Sequence, residues 1–254
     1  MSATALFFTL IFVAVAMILS LWQHLGLERE LLVGTIRAAV QLTAVGYILH
    51  LVFDLRDWPY LILMILVMTL VASHNAAKRG SGLDKIFIKV FAAIFAAEAM
   101  AMTILLGLNI IEATPRFIIP LSGMIIGNSM VACGLLLNRL QHEIQSHRDQ
   151  IKVALSLGAT SRQAAETALR NAVRASTIPL IDSLKTVGLV QLPGMMTGLI
   201  IGGASPVEAV RYQLLILFSL TAVATLSSII LAFSAYPNMF SKSHQLKTTF
   251  LNQT

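Results

Sequence analysis

The sequence predicts an all-α, polytopic integral membrane protein with about seven transmembrane helices. Three observations predict it. The first is composition: 57% of the 254 residues are hydrophobic and only 12% are charged. An ordinary soluble domain carries about 25% charged residues, and with a mean hydropathy of +0.81 a soluble fold would have to bury nearly all of this chain. The second is length: apolar stretches recur near the ~20 residues that a helix needs to cross the hydrocarbon core. The third is the alternation of Lys and Arg between successive connections, which follows the positive-inside rule.

The candidate spans follow in order. Ala3–Leu21 has no Lys or Arg ahead of Arg29. It therefore lacks the basic n-region of a cleaved signal peptide and is long enough to remain as a span. Leu32–Phe53 contains Arg37. Trp58–His74 is short. Ile88–Leu108 contains Glu98 among Ala96, Ala97, Ala99 and Ala101. Phe117–Leu137 contains Pro120, Gly123, Gly127, Asn128 and Ser129, and Gly123 with Gly127 forms a small-xxx-small face for close helix contact. Ser176–Gly202 is interrupted by polar residues and by Pro193-Gly194, and Tyr212–Ala235 is the last. The polar tail after Tyr236-Pro237 is expected to fray.

On one side of these spans lie Arg29, Lys78, Arg79, Lys85, Lys89, Arg139, Arg148, Lys152, Arg162, Arg170, Arg174, Lys242 and Lys247. The other side holds only Arg56, Arg116 and Arg211. This imbalance places the N-terminus outside, the C-terminus in the cytoplasm, and the long 138–175 segment in the cytoplasm. The chain is expected to form one transmembrane domain, 1–254. Its net charge of +6 marks cytoplasmic connections rather than a nucleic-acid surface. Cys133 is the single cysteine, so no disulfide framework exists. No repeat in register is visible, which gives little support to the internal symmetry of secondary transporters.

The 138–175 segment is too long for a plain connection. Leu140, Ile144, Ile151 and Leu155 recur at helical spacing, with Glu143, His147 and Arg148 among the polar positions. The fifth helix is predicted to continue into the cytoplasm and stop near Gly158, a suitable C-cap. Thr160 and Gln163 then predict a capping box opening a new helix, with Glu166 and Arg170 as an i, i+4 pair. Ala165, Leu169, Ala172 and Val173 form its apolar stripe, and it is expected to end before Pro179. Leu155, Leu157, Gly158, Ala159 and Thr160 together make a glycine-punctuated apolar patch. Such a patch suits docking of a separate ATPase, because this chain has no nucleotide site of its own. A helical hairpin lying on the bilayer is the alternative.

Charges inside spans are costly and usually functional. Asp182 and Lys185, three residues apart, are able to pair on one helix. Arg37 and Glu98 are possible partners across helices, and Arg37 is also placed to snorkel. A purely structural role, in which these charges neutralise one another, is the alternative for each. In the sixth span, Pro193-Gly194 is predicted to break the helix. Freed carbonyls at membrane depth are tolerated only against protein or a water-filled cavity. The substrate path is therefore assigned to Glu98, Asn128, Asp182, Lys185, Gln191, Met195 and Met196, with Thr197 beside them. As metal donors, Glu98, Met195 and Met196 supply a carboxylate and soft thioethers, although Met is also a common apolar filler. No Walker glycine loop, HExxH or GxSxG motif occurs, so no enzyme is expected.

Longer runs carry a family resemblance. They are Leu155-Ser-Leu-Gly-Ala-Thr160, Arg174-Ala-x-x-Ile-Pro179 and Asp182-Ser-x-Lys-Thr-Val-Gly-Leu-Val-x-Leu-Pro-Gly-Met-Met-x-Gly-Leu199. Arg37-Ala-x-x-Gln-Leu42, Pro120-x-x-Gly-Met-Ile-x-Gly-Asn-x-Met130 and Lys78-Arg79 after Asn75-Ala76 join them. Across nearly the whole chain these runs resemble the FetB-type ABC permeases, a family that includes a bacterial iron-export permease and plant proteins linked to aluminium tolerance. The resemblance implies a permease subunit that exports metal ions such as iron. It also implies a homodimer in the bacterial inner membrane and a separately encoded ATPase partner that binds ATP and Mg. Where some members carry an acidic residue just before the Leu-Ser-Leu-Gly run, Val153 and Ala154 stand here. The competing expectations are a proton-coupled carrier using Glu98 or Asp182, a membrane scaffold that moves nothing, and a sugar-nucleotide substrate.

Overall fold

The computed structural model describes residues 8–52, 58–241 and 243–247. Every named element among them is helical, and five of the helices are long and apolar enough to cross a membrane. The chain divides into two compact units, Met1–Arg56 and Asp57–Thr254. The start of the first predicted span, Phe53 at the end of the second, Arg56, Lys242 and residues 248–254 lie outside the described residues.

The first unit contains α1 (Leu10–Trp22) and α2 (Glu28–Val52). The chain turns between them through His24 and Gly26, both at positive φ. Ser20 ties the turn: its hydroxyl accepts from the Leu27 amide at 3.1 Å and donates to Glu28 Oε1 at 2.8 Å. The Glu28 carboxylate thus stays at the positive end of α2, where the helix dipole favours it.

The second unit contains α3 (Trp58–Ala77), α4 (Ile86–Gly107), α5 (Pro115–Ser146), α6 (Arg148–Ser156), α7 (Ser161–Thr186), α8 (Gly194–Ile201) and α9 (Pro206–Ala235). Short 3₁₀ turns follow α3 at Lys78–Gly80 and α9 at Tyr236–Met239. Helix α5 is the spine and packs against α3, α7 and α9. Its 32 residues span about 48 Å at 1.5 Å per residue, well beyond a ~30 Å hydrocarbon core. Of the expected apolar stripe, Leu140 and Ile144 lie on it and are fully buried, as is Leu136 one turn earlier. They meet Ala165, Ala168, Leu169 and Ala172 of α7 in one apolar cluster, and the small alanines let the two backbones approach closely. Where α5 meets α3, a Cβ on Gly123 would stand 3.0 Å from Met68 Cε, whereas one on Gly127 would meet nothing within 4 Å. The small-xxx-small face is therefore used at one of its two positions.

Three expectations are corrected. The fifth helix does not run unbroken to Gly158: α5 ends at Ser146, and the separate α6 begins at Arg148 after His147. Helix α7 does not end before Pro179 but runs through it to Thr186. An interior proline costs roughly 3 kcal/mol. Here the helix is held by its buried alanine face on one side of the proline and by hydroxyls at it. Ser176 Oγ donates to the Val173 carbonyl at 2.8 Å, and Thr177 Oγ1 is 3.1 Å from the carbonyls of both Val173 and Arg174. The tail also does not fray where it is described. Met239, Phe240 and Leu246 are buried in the same cluster as α5 and α7, and Phe240 bridges Leu246. Its polar residues bind outward: Lys247 Nζ pairs with Asp84 at 2.8 Å, Asn238 donates to the Asp84 carbonyl, and His244 Nδ1 lies 2.7 Å from Ser161 Oγ. A tail reads as frayed when its polar residues are counted, but its three apolar residues are enough to anchor it.

Candidate functional site

The α6–α7 junction forms as its residues dictate. Helix α6 closes with two C-terminal bonds, Gly158 N–H to Leu155 O at 3.1 Å and Ala159 N–H to Ala154 O at 3.0 Å. This is the Schellman arrangement, which needs a left-handed residue at the position after the cap, and Gly158 supplies it at φ +91°. Two residues later Thr160 opens α7 with a reciprocal capping box. Its hydroxyl accepts from Gln163 N–H at 3.3 Å, and its own N–H donates to Gln163 Oε1 at 2.9 Å. Both helix ends are therefore satisfied within a tight connection, which makes the elbow stiff. On it Leu157 is 83% exposed and Val153 58% exposed. Leu155 packs inward against the core cluster, and Ala159 is half-buried. The protruding apolar surface is thus Val153 with Leu157, presented on a rigid corner.

The root of that corner contains a residue whose importance the sequence pattern understated. Glu143 is buried, bonds Arg139 at 2.7 Å, and accepts from Asn171 Nδ2 of α7 at 2.9 Å. It locks α5 to α7. The available signal was the four-residue recurrence of Arg139, Glu143 and His147, which places all three on one face.

Inside the helices, Glu98 on α4 is 2% exposed and neither carboxyl oxygen has a hydrogen-bond partner. The Ser122 hydroxyl of α5 lies beside it. Ser122, Ser129, Ser228 and Gln213 Oε1 are likewise buried without partners. Buried polar atoms are normally paired, so unpaired groups on α4, α5 and α9 mark an unusual interior. Asn128 does not bond across helices; its Nδ2 donates to Met124 O one turn back, at 2.8 Å.

The break in the sixth span is present, and it starts earlier than Pro193. After Thr186 the chain leaves the helix, with Gly188 at φ +83°. Gly188 N–H donates to Gln191 O at 3.0 Å, and Thr186 O accepts from Leu189 and Val190. Pro193 then precedes the first residue of α8, Gly194. Asp182 and Lys185 pair at 3.2 Å, and Gln191 Nε2 reaches Ser183 Oγ at 3.3 Å. The structure thus pairs Asp182 with Lys185 at the end of α7 and ties Gln191 of the break back to Ser183. Met195 is exposed and Met196 half-buried on α8, while Leu189 and Val190 are 89% and 81% exposed. Glu98 is enclosed within the chain, whereas Gln191 and Met195 are exposed. Among the described residues no group of three or more His, Cys, Asp and Glu is placed to hold a metal ion.

Residues 3–240 match UPF0014, described as an uncharacterised protein family. The chain is 46% identical to the "UPF0014 membrane protein YjkA" of Bacillus subtilis (strain 168) over 97% of its own length and 99% of the relative's. It is 42% identical to the "Probable iron export permease protein FetB" of Escherichia coli (strain K12), over 96% and 94%. It is 37% identical to "Protein ALUMINUM SENSITIVE 3" of Arabidopsis thaliana, over 94% and 88%. No solved structure matches. Apolar helices of spanning length, a stiff capped elbow and a broken helix thus belong to a sequence that these proteins share from end to end, and the chain is a multi-pass membrane protein of the UPF0014 family.

Proposed function

We propose that this chain is the membrane-spanning permease subunit of an ATP-driven exporter, with ATP and Mg bound by separate ATPase subunits. The observation that carries the proposal is the elbow, which holds Leu157 83% exposed between two capped helix ends. Exposed leucine on a rigid corner next to charged helices is what a docking partner buries. Movement of the ATPase is transmitted through the elbow into α5 by the Glu143–Asn171 bond, and into the broken segment by the unbroken α7.

Seven spans with the N-terminus outside and the C-terminus inside complete the proposal. Helix α8 has 8 residues, about 12 Å, so the sixth crossing is discontinuous. The non-helical backbone between Thr186 and Gly194 needs cover from lipid at membrane depth, and a second copy of the chain supplies it. Substrate then passes Asp182, Lys185, Gln191, Met195 and Met196 at the paired breaks, with Asn128 and Glu98 behind them. Metal ions, iron first, are the proposed cargo, supported by the name of the Escherichia coli relative.

A second reading rests on one observation: Glu98 is enclosed with no partner on either oxygen, as in a carboxyl that carries a proton. The two readings separate in vesicles that contain the chain with its ATPase. ATP-dependent Fe²⁺ efflux that survives collapse of the pH gradient supports the exporter. Flux that follows the pH gradient and needs no ATP overturns it in favour of a proton-coupled carrier.

A further inference from the structure

A groove of about 570 Å³ lies where α7 meets the last turns of α9. Its rim carries Arg162, Glu166, Arg170 and Arg174. These are spaced four residues apart, so they form one row along α7. Its floor includes Ile229 and Phe233 of α9, which are 38% and 47% exposed. Glu166 pairs with Arg170 at 3.0 Å, which leaves Arg162 and Arg174 without a carboxylate partner among the described residues. The Arg162 guanidinium lies 5.5 Å from the centroid of the Phe233 ring, so this cation already rests on the apolar floor.

We propose that this groove binds an anionic phospholipid of the surrounding bilayer. Its headgroup lies against the arginine row and an acyl chain lies along Phe233 and Ile229. The charge of the rim calls for an anion. The exposed apolar floor calls for hydrocarbon, which a soluble anion does not bring. Helix α9 is one of the apolar helices able to cross a membrane, and Phe233 stands in its final turns. The groove therefore opens where hydrocarbon gives way to headgroups, the level at which basic pockets between helices hold anionic lipids. A zwitterionic lipid offers the same phosphate but sets a quaternary ammonium among arginines. The inference does not depend on what the protein transports.

The test uses the full chain in neutral detergent, with lipid retention read by native mass spectrometry and the melting midpoint read in parallel. Dioleoyl phosphatidylglycerol, dioleoyl phosphatidylcholine and glycerol 3-phosphate are the probes. Phosphatidylglycerol is expected to bind at least tenfold more tightly than phosphatidylcholine. At about 1 kcal/mol for each basic residue near the headgroup, Arg162→Gln with Arg174→Gln should weaken it roughly thirtyfold. Lys152→Gln, outside the groove, should leave it within about twofold, and Arg162→Lys with Arg174→Lys should restore most of it. If the glutamine pair fails to fold, the lysine pair and the loss of wild-type binding with rising salt decide the matter. Equal binding of the two lipids, or wild-type binding by the glutamine pair, overturns the proposal. Binding of glycerol 3-phosphate as tight as that of the lipid makes this a soluble-anion site. Unchanged lipid binding with loss of ATPase co-purification assigns the groove to a protein partner instead.

Discussion

Leu157 and Ile151 belong to the same short stretch around α6 and meet opposite environments, so substituting them separates docking from folding. Ile151 is 2% exposed within the cluster that joins α5 to α7. Its replacement by alanine should cost about 2–5 kcal/mol of stability. Leu157 is 83% exposed, and substitutions at such sites usually stay within about 0.5 kcal/mol. If docking buries Leu157, its side chain contributes about 1.5–3 kcal/mol to the complex. Taking about 2 kcal/mol, Leu157→Asp should weaken the ATPase complex roughly thirtyfold while the melting midpoint of the isolated chain stays put. Ile151→Ala should lower the midpoint. Gly158 gives a graded control. It sits at φ +91°, and a Cβ there would meet nothing within 4 Å, so a substitution costs backbone strain alone, about 1–2 kcal/mol. Asn tolerates this region better than a β-branched residue. Gly158→Asn should therefore keep transport coupled, and Gly158→Val should lose coupling. Affinity is read by titrating tagged permease against purified ATPase in detergent, and coupling by the ratio of transport to ATP hydrolysed. Wild-type affinity and wild-type transport in Leu157→Asp would refute the docking argument.

Three further outcomes are expected. With Cys133 replaced by Ala, cysteines introduced as S81C and H147C should react with an impermeant reagent from the cytoplasmic side and T114C from outside; labelling of positions 81 and 114 from one face would break the seven-span order. Glu98→Gln preserves shape and removes the ionisable carboxyl, so it should abolish Fe²⁺-stimulated ATPase activity of the complex while basal activity and assembly persist; loss of folded protein would instead make the carboxylate a structural element. The tail should loosen in acid, because the Lys247 ammonium holds the exposed Asp84 carboxyl below the usual carboxylate range. A depressed folded pKa contributes stability above the unfolded value that is lost as pH falls through the folded one. Amide protection over 239–247, taken relative to the intrinsic exchange rate, should therefore fall below about pH 4, and Lys247→Met should show the low protection already at pH 7. Unchanged protection in that variant would rule out the ion pair as an anchor.

The sequence by itself determined what is decided within a few residues. Apolar run length and the scarcity of charge determined a helical, multi-pass protein, because no other spanning structure satisfies its backbone from within one segment. Gly158 and the Thr160–Gln163 pair determined the elbow, because caps are made by neighbouring atoms and need no distant partner. The break near Pro193 was equally legible, although its start at Thr186 depends on the turn at Gly188. Tertiary structure decided everything that weighs one local cost against distant contacts. Pro179 stays helical because Ala165, Ala168 and Ala172 are buried against α5. The polar tail folds back because Met239, Phe240 and Leu246 find that same cluster. Leu155 and Leu157, two residues apart on one apolar patch, part company: the first packs inward and the second points out, since a 100° step per residue sends them to different sides. Glu143 and Glu98 are both buried glutamates on spanning helices, yet only the first finds partners, Arg139 on its own helix and Asn171 on α7. Which carboxylate is satisfied and which is left unpaired depends on the helices packed around it, and spacing along the chain carries no record of them.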